Sequence, residues 1–197
     1  MFFLLPESDG FLLAGGAALV AQNLSTRATL DVDLFANPTR GNIPAARDGL
    51  ARAAELQGWA VEVLRDSSTF CRLSLVRADE YLTIDLAIDS SPGQPPIMSI
   101  LGPSFAPEEL AGRKTIALFN RAEPRDFVDV FVLSQRFGKE NLLSWAREVD
   151  AGFSLPVFVD MIRSIRRFKD ERLPISAACT EDLRSFFEDW ATELSAR

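Results

Sequence analysis

Asp31 and Asp33, separated by a single residue, are the clearest candidates for chemistry in this 197-residue sequence. They lie in a segment, residues 29–36, whose alternation of apolar and polar residues predicts a strand with Leu30 on its buried face. Both carboxylates then share the other face, which is unfavourable unless solvent or a cation offsets the two charges. Paired carboxylates suit Mg²⁺, which proteins usually share with substrate phosphates, so the pair predicts a magnesium and phosphate site.

Two consecutive glycines, Gly15 and Gly16, precede this pair at the expected start of a helix. Glycine lets the backbone approach a phosphate closely, and the amide groups at a helix start favour an anion. Arg27 and Thr29, just before the aspartates, add a cation and a hydroxyl. A glycine pair alone is typical of a turn, and an aspartate pair alone is typical of a solvated strand face, but the combination indicates a phosphate-binding site.

A second group of charged residues lies later in the chain. Lys114 and Arg121 are seven residues apart, so a helix would place both cations on one face. Asp126 and Asp129 lie at i and i+3 near the start of the next predicted helix. These four residues can line a cleft or can form surface ion pairs with one another, and the local pattern leaves both interpretations open.

A third carboxylate would complete a metal site. Asp85 lies in YLTIDLAID on an otherwise mostly apolar strand, which makes it our candidate for this ligand. Asp89 lies four residues later with the same parity, and either side chain can point to solvent from a strand that is covered on one side. The pattern leaves the choice between the two open.

The composition excludes several classes of site. The sequence contains no histidine, which rules out Ser-His-Asp and Cys-His nucleophiles and histidine-rich zinc sites. Its two cysteines, Cys71 and Cys179, are too far apart for a zinc knuckle and too few for a secreted disulfide scaffold, so we expect a cytoplasmic protein. The N-terminal apolar run lacks a basic leader and no apolar stretch reaches about 20 residues, so we expect no targeting or membrane segment.

The elements that must position these residues change character near residue 105. Predicted strands cover residues 11–14, 29–36, 59–64, 70–76 and 81–88, the last three as an antiparallel meander. Predicted helices cover residues 17–22, 43–56, 108–120, 124–137, 140–149, 155–169 and 181–194. We therefore predict an α+β fold, with a mixed sheet and flanking helices over residues 1–105 and an all-helical bundle over residues 106–197.

Two motifs in the sequence resemble a known family. LLAGGAALVAQ and RATLDVDLF together resemble the minimal nucleotidyltransferase signature, in which a glycine pair and a helix precede Asp-x-Asp on the next strand. KTIALFNR at residues 114–121, with Arg125-Asp126-x-x-Asp129, resembles the AbiEii/MenT nucleotidyltransferase toxins of bacterial toxin–antitoxin systems, of the type IV kind. The resemblance spans about residues 11 to 135. It implies a nucleotidyltransferase-like first domain and a helical domain that completes the active-site cleft.

The resemblance also implies an activity: transfer of a nucleotide from a nucleoside triphosphate to the 3′ acceptor end of tRNA, which blocks aminoacylation and translation. The implied catalytic residues are Asp31, Asp33, Lys114 and Asp129, with Lys114 meeting the triphosphate. The implied nucleotide-binding residues are Gly15, Gly16, Arg27, Thr29, Arg121 and Asp126. The implied ligands of Mg²⁺, in a site compatible with two metals, are Asp31, Asp33 and Asp85.

Three further expectations concern the group that accepts the proton, the molecule that receives the nucleotide and the partner protein. Asp85 or Asp129 would take the proton of the attacking hydroxyl. The implied partner protein is an antitoxin. Transfer to a protein or a small molecule is one alternative, and a non-catalytic binding module on the same fold is the other.

Two further features concern RNA binding and regulation. Arg163, Arg166, Arg167 and Lys169 form a basic cluster that is a candidate for binding RNA phosphates, with a solvated helix face as the alternative. The net charge of −7 argues against indiscriminate nucleic-acid binding but does not describe a local face. Thr39, on the loop after the aspartates, is a turn residue or a site of regulatory phosphorylation, where a phosphate would compete with the triphosphate.

Overall fold

A computed structural model describes residues 1–196 of the chain, which form two compact units divided between Ala106 and Pro107. The first unit contains a mixed sheet with helices, and the second is helical, so the predicted α+β fold class is confirmed. None of the helices described in residues 1–196 is long and apolar enough to cross a membrane.

The first unit is built around a seven-stranded mixed sheet. Its strands are β1 (Phe11–Ala14), β2 (Asp31–Ala36), β3 (Ala60–Asp66), β4 (Phe70–Arg77), β5 (Glu80–Ile88), β6 (Ile97–Ser99) and β7 (Gly102–Ser104). They lie in the order β3-β4-β5-β2-β1-β7-β6. β2 runs antiparallel to β1 and parallel to β5, and the meander β3–β4–β5 is antiparallel as predicted. The carboxylates of β2 therefore lie at the middle of the sheet.

Two helices accompany this sheet. Helix α1 (Gly15–Ala21) begins directly after β1, and α2 (Ile43–Glu55) packs against β3, β4 and β5. Asn42 caps α2, because its side-chain oxygen accepts a hydrogen bond from the backbone N–H of Ala45. The apolar side of α2 closes the core of the unit over β4 and β5, and its fully buried residues include Leu50.

The sequence patterns placed some boundaries of this unit wrongly. The strand predicted from Thr29 begins at Asp31, and Leu30, expected on the buried face, is 63% exposed. The reason is local, because the Thr29 hydroxyl accepts a hydrogen bond from the Asp31 N–H and so holds this segment in a turn. The hairpin of β6 and β7 was not predicted, since three-residue strands containing Gly102 and Pro103 carry no clear alternation.

The second unit consists of five α-helices and two short 3₁₀ turns within its described residues. The helices are α3 (Pro107–Asn120), α4 (Pro124–Phe137), α5 (Lys139–Val149), α6 (Leu155–Arg163) and α7 (Ala177–Ser195). α3 packs against α4, α5 and α6, and α7 packs against α4 and α6. Fully buried aromatic rings in edge-to-face contact form the centre of the unit: Phe127, Phe158, Phe187 and Trp190.

The prediction of one helix over residues 155–169 is wrong. α6 ends at Arg163, a 3₁₀ turn follows at Ser164–Arg167, and Phe168 is extended. The guanidinium group of Arg184 on α7 donates hydrogen bonds to the backbone carbonyls of Ile165 and Phe168, which an α-helix would have used internally. α7 itself begins at Ala177, four residues before the predicted start.

Candidate active site

The glycine pair and the aspartate pair meet in the structure. Ala14, the last residue of β1, pairs with Asp33 of β2, and Gly15 follows with a left-handed φ of +61°. A Cβ atom built on Gly15 would lie 1.7 Å from Oδ2 of Asp33. Glycine is therefore required here both for the backbone conformation and for the space that the carboxylate occupies.

Arg27 and Thr29 lie next to the second glycine. A Cβ atom built on Gly16 would lie 3.2 Å from a guanidinium nitrogen of Arg27 and 3.3 Å from Oγ1 of Thr29. The Thr29 hydroxyl also donates to the backbone carbonyl of Asp31 at 3.2 Å. The residues that the sequence assigned to nucleotide binding in the first unit thus lie around the start of α1 and the start of β2.

The parallel pairing of β2 with β5 decides which further carboxylate lies beside these aspartates. Asp33 is the register partner of Asp85, and Asp31 is the partner of Thr83. Asp89 lies beyond the end of β5, where its backbone N–H donates to Ala36 and its side chain accepts from the N–H of Ser90. Asp85, rather than Asp89, is the carboxylate next to Asp33.

Sequence reasoning missed one charged residue at this position, Arg72 of β4. Its guanidinium group donates two hydrogen bonds to the two carboxylate oxygens of Asp85, at 2.7 and 2.6 Å. This bidentate pair raises the pKa of Arg72 above its usual value, and the charges of Asp31 and Asp33 add to the effect. The alternation of side chains along β4 could have indicated it. In a meander with a short turn, Arg72 lies opposite Asp85 on the same face of the sheet.

The carboxylates of the first unit fit a divalent ion whose remaining ligands come from the substrate. Within residues 1–196 no group of three or more His, Cys, Asp or Glu side chains is arranged to hold a metal. Asp31 and Asp33 supply only oxygen donors, and Asp85 is bound by Arg72. Two carboxylates plus the phosphates of a substrate are a usual coordination for Mg²⁺, so the residues present fit such an ion.

In the second unit the predicted residues pair with one another. Nζ of Lys114 on α3 lies 2.7 Å from Oδ2 of Asp129 on α4, and both side chains are buried. Arg121 donates two hydrogen bonds of 2.9 Å to Asp126, which also accepts from the backbone N–H of Glu123 in a capping box. Ion pairs therefore form, but the pair of Lys114 and Asp129 lies in the interior rather than at the surface.

The basic cluster near the end of α6 is spread over several short elements. Arg163 ends α6 and donates to the Ser195 hydroxyl, while Arg166 pairs with Glu188 at 3.3 Å. Arg167 and Lys169 are exposed. The four side chains do not lie along one α-helix, and their proposed role in RNA binding stays a prediction.

Thr39 lies in an exposed turn. Its hydroxyl donates to the side-chain oxygen of Asn37 at 2.8 Å, and the same oxygen accepts from the N–H groups of Thr39 and Arg40. This is the arrangement of an Asx turn. Phosphorylation of Thr39 stays a prediction.

Comparisons with known proteins identify the family and the fold of the chain. The family model described as "Nucleotidyl transferase AbiEii toxin, Type IV TA system" matches residues 2–189. MenT4, a nucleotidyltransferase toxin from Mycobacterium tuberculosis, is a similar solved structure, with a TM-score of 0.59, 17% identity, and coverage of 92% of this chain and 75% of that chain.

Two structures from Helicobacter pylori share the fold as well. A candidate nucleotidyltransferase has a TM-score of 0.58, and JHP933 has a TM-score of 0.52; each is 14% identical, and the match covers 96% of this chain and 90% of theirs. No curated protein sequence matches the chain. The family match extends over nearly the whole sequence, and it includes the glycine pair, both aspartates of β2 and the pair of Lys114 and Asp129. The chain belongs to the AbiEii family of nucleotidyltransferase toxins.

Proposed function

We propose that this chain transfers a nucleotide from a nucleoside triphosphate to the 3′ acceptor end of tRNA in a Mg²⁺-dependent reaction that blocks aminoacylation. The observation that supports this most strongly is the approach of the Asp33 carboxylate to Gly15, with Asp31 and Asp85 on the same face of the sheet. Family membership supplies the reaction type, since nucleotidyltransferases generally use a nucleoside triphosphate and a divalent metal, and it implies an antitoxin partner.

In the proposed reaction a hydroxyl oxygen of the acceptor forms a bond to the α-phosphorus, and pyrophosphate leaves. Asp31 and Asp33 would hold Mg²⁺, which would offset the negative charge that develops during the transfer. Thr29 and Arg27, beside Gly16, bind the phosphates of the nucleotide. This division assigns the start of α1 to the triphosphate and the face of β2 to the metal.

The roles of the second unit follow from the family resemblance. Lys114 is proposed to bind the triphosphate, and Asp129 holds its ammonium group in place at 2.7 Å. Of the two carboxylates expected to accept the proton, Asp85 has both oxygens bound by Arg72, and Asp129 is fully buried. Either one must exchange its cation for the hydroxyl in order to act as a base.

The direct test is to find the molecule that gains label. The purified chain is incubated with a cell extract and each of four α-labelled triphosphates, with Mg²⁺ or with EDTA. We expect label in the tRNA fraction only with Mg²⁺, at the 3′ end, and a matching loss of aminoacylation. Label in protein or in small molecules would show that the acceptor is wrong, and no label in any fraction would show that the activity is wrong.

A further inference from the structure

A row of charged side chains crosses four strands of the sheet on the face that carries the carboxylates. Asp33 lies beside Asp85 across β2 and β5, Asp85 lies opposite Arg72 across β5 and β4, and Arg72 lies opposite Arg65 across β4 and β3. Neighbouring strands are about 4.8 Å apart, so the row extends roughly 14 Å from Asp33. It begins with two carboxylates and ends with two guanidinium groups.

An aromatic ring contacts both guanidinium groups at the basic end of this row. The ring centre of Phe70, two residues before Arg72 on β4, lies 5.2 Å from the guanidinium carbon of Arg65 and 5.8 Å from that of Arg72. Arg65 is exposed, and its guanidinium group lies over this ring. Asp85 offsets the charge of Arg72, whereas the residue opposite Arg65 on β4 is Arg72 itself rather than a carboxylate, and like charges in that position are unfavourable unless an anion binds. The basic end therefore favours an anionic ligand.

The order of the strands indicates which anion this is. The glycine pair, Arg27 and Thr29 lie on the β1 side of Asp33, whereas Arg72 and Arg65 lie on the β5 side. The attacking hydroxyl and the leaving pyrophosphate lie roughly in line on opposite sides of the phosphorus atom. If the triphosphate lies on the β1 side of Asp33, the RNA that carries the hydroxyl therefore approaches from the β5 side. We propose that Arg72 and Arg65 bind backbone phosphates of the RNA acceptor and so bring its terminal hydroxyl to Asp31 and Asp33, an inference that rests on the proposed function.

The test compares Arg65 with an exposed arginine on the opposite face of the sheet, Arg77 of β4, which is paired with Glu80. Arg65→Gln removes one proposed phosphate contact, while Arg77→Gln removes an arginine of β4 that lies on the other parity and stacks on Trp59 at 4.5 Å. Binding of 5′-labelled tRNA is measured by fluorescence anisotropy in EDTA without triphosphate, and KM is measured for tRNA and for the triphosphate.

For Arg65→Gln we expect about tenfold weaker tRNA binding, a similar rise in KM for tRNA, and an unchanged KM for the triphosphate. The slope of log affinity against log salt should fall by about 1. Arg65→Lys, which keeps the charge, should recover most of the binding. Arg77→Gln should match the wild-type protein, and circular dichroism should show the same fold for all variants.

The possible failures are distinguishable. If the wild-type protein labels RNA but Arg65→Gln binds tRNA as tightly as Arg77→Gln does, this inference alone is wrong. A rise in KM for the triphosphate instead of tRNA would overturn it too, because the arginines would then serve the nucleotide. If the wild-type protein labels no RNA, the proposed function fails and this inference fails with it.

Discussion

At the scale of single residues, the contact between Gly15 and Asp33 explains why the glycine pair and the aspartate pair occur together in this sequence. Gly15 lies next to Asp33, because Ala14, the last residue of β1, is the register partner of Asp33. Asp33 then occupies the space that a side chain at Gly15 would need. The two motifs are therefore in direct contact, as the proposed site requires.

Replacing Gly15 with alanine should abolish transfer. The new Cβ would overlap the Asp33 carboxylate and would also hold a left-handed conformation that costs about 1–2 kcal/mol. Gly58→Ala is the matched control, because Gly58 has a φ of +82° and no atom within 4 Å of an added Cβ. Urea unfolding should show a similar strain cost for both variants with an additional loss for Gly15→Ala, and labelled transfer should be lost only for Gly15→Ala. Wild-type transfer by Gly15→Ala would mean that Asp33 does not need its observed position.

Residue types and spacing were sufficient to predict Asp31, Asp33, Gly15 and Gly16 as neighbours, since a strand, a glycine turn and a helix follow from local patterns. They were not sufficient for Arg72. Its parity on β4 could indicate the face it occupies, but its contact with Asp85 depends on the register of β4 and β5, which is set by the turn at residues 77–80 and by packing.

At the scale of elements, α3 and α4 are joined by a buried charge pair. Lys114 is one of few charged side chains in the interior of the second unit, and its ammonium group contacts the fully buried Asp129. Removing both charges from water costs free energy, so such a pair adds little net stability to the fold. Loss of one partner is strongly destabilising, because the other charge is then buried without compensation. Stability alone therefore gives little reason for this pair, and its role in the reaction stays a proposal.

Variants of this pair separate its structural and functional roles. Lys114→Met should lower the free energy of unfolding by about 3–5 kcal/mol, because Asp129 is left buried without its cation. The double variant Lys114→Met/Asp129→Leu should recover most of that loss, as measured by urea unfolding. Both proteins should lack transfer activity. A double variant that is stable and fully active would show that neither charge takes part in the reaction.

Helix boundaries show the limit of sequence patterns at this scale. α4 begins and ends where the pattern predicts, since Pro124 starts it and Gly138 follows it. The helix predicted over residues 155–169 instead ends at Arg163, because a tertiary contact from Arg184 captures the backbone carbonyls beyond it. Such contacts come from distant parts of the chain, and the local spacing of apolar residues does not encode them.

At the scale of the whole molecule, the chain carries a net charge of −7 while the proposed acceptor is a polyanion. Net charge and composition therefore could not indicate nucleic acid as a substrate, and the prediction depended on the family resemblance. The structure shows how cations can be concentrated locally, as in the row that ends at Arg72 and Arg65. The fold class was predictable from the change of pattern near residue 105, whereas strand order and the charged row required the structure.

The proposed reaction depends on the carboxylate of Asp33. The most direct measurement compares the transfer rates of Asp33→Asn and Asp79→Asn, the latter removing an exposed carboxylate from the turn between β4 and β5. We predict that Asp33→Asn loses at least about a hundredfold in rate with its fold intact by circular dichroism, while Asp79→Asn stays within about twofold of the wild-type rate. A folded Asp33→Asn protein that transfers label as fast as Asp79→Asn would show that the reaction does not need the Asp33 carboxylate.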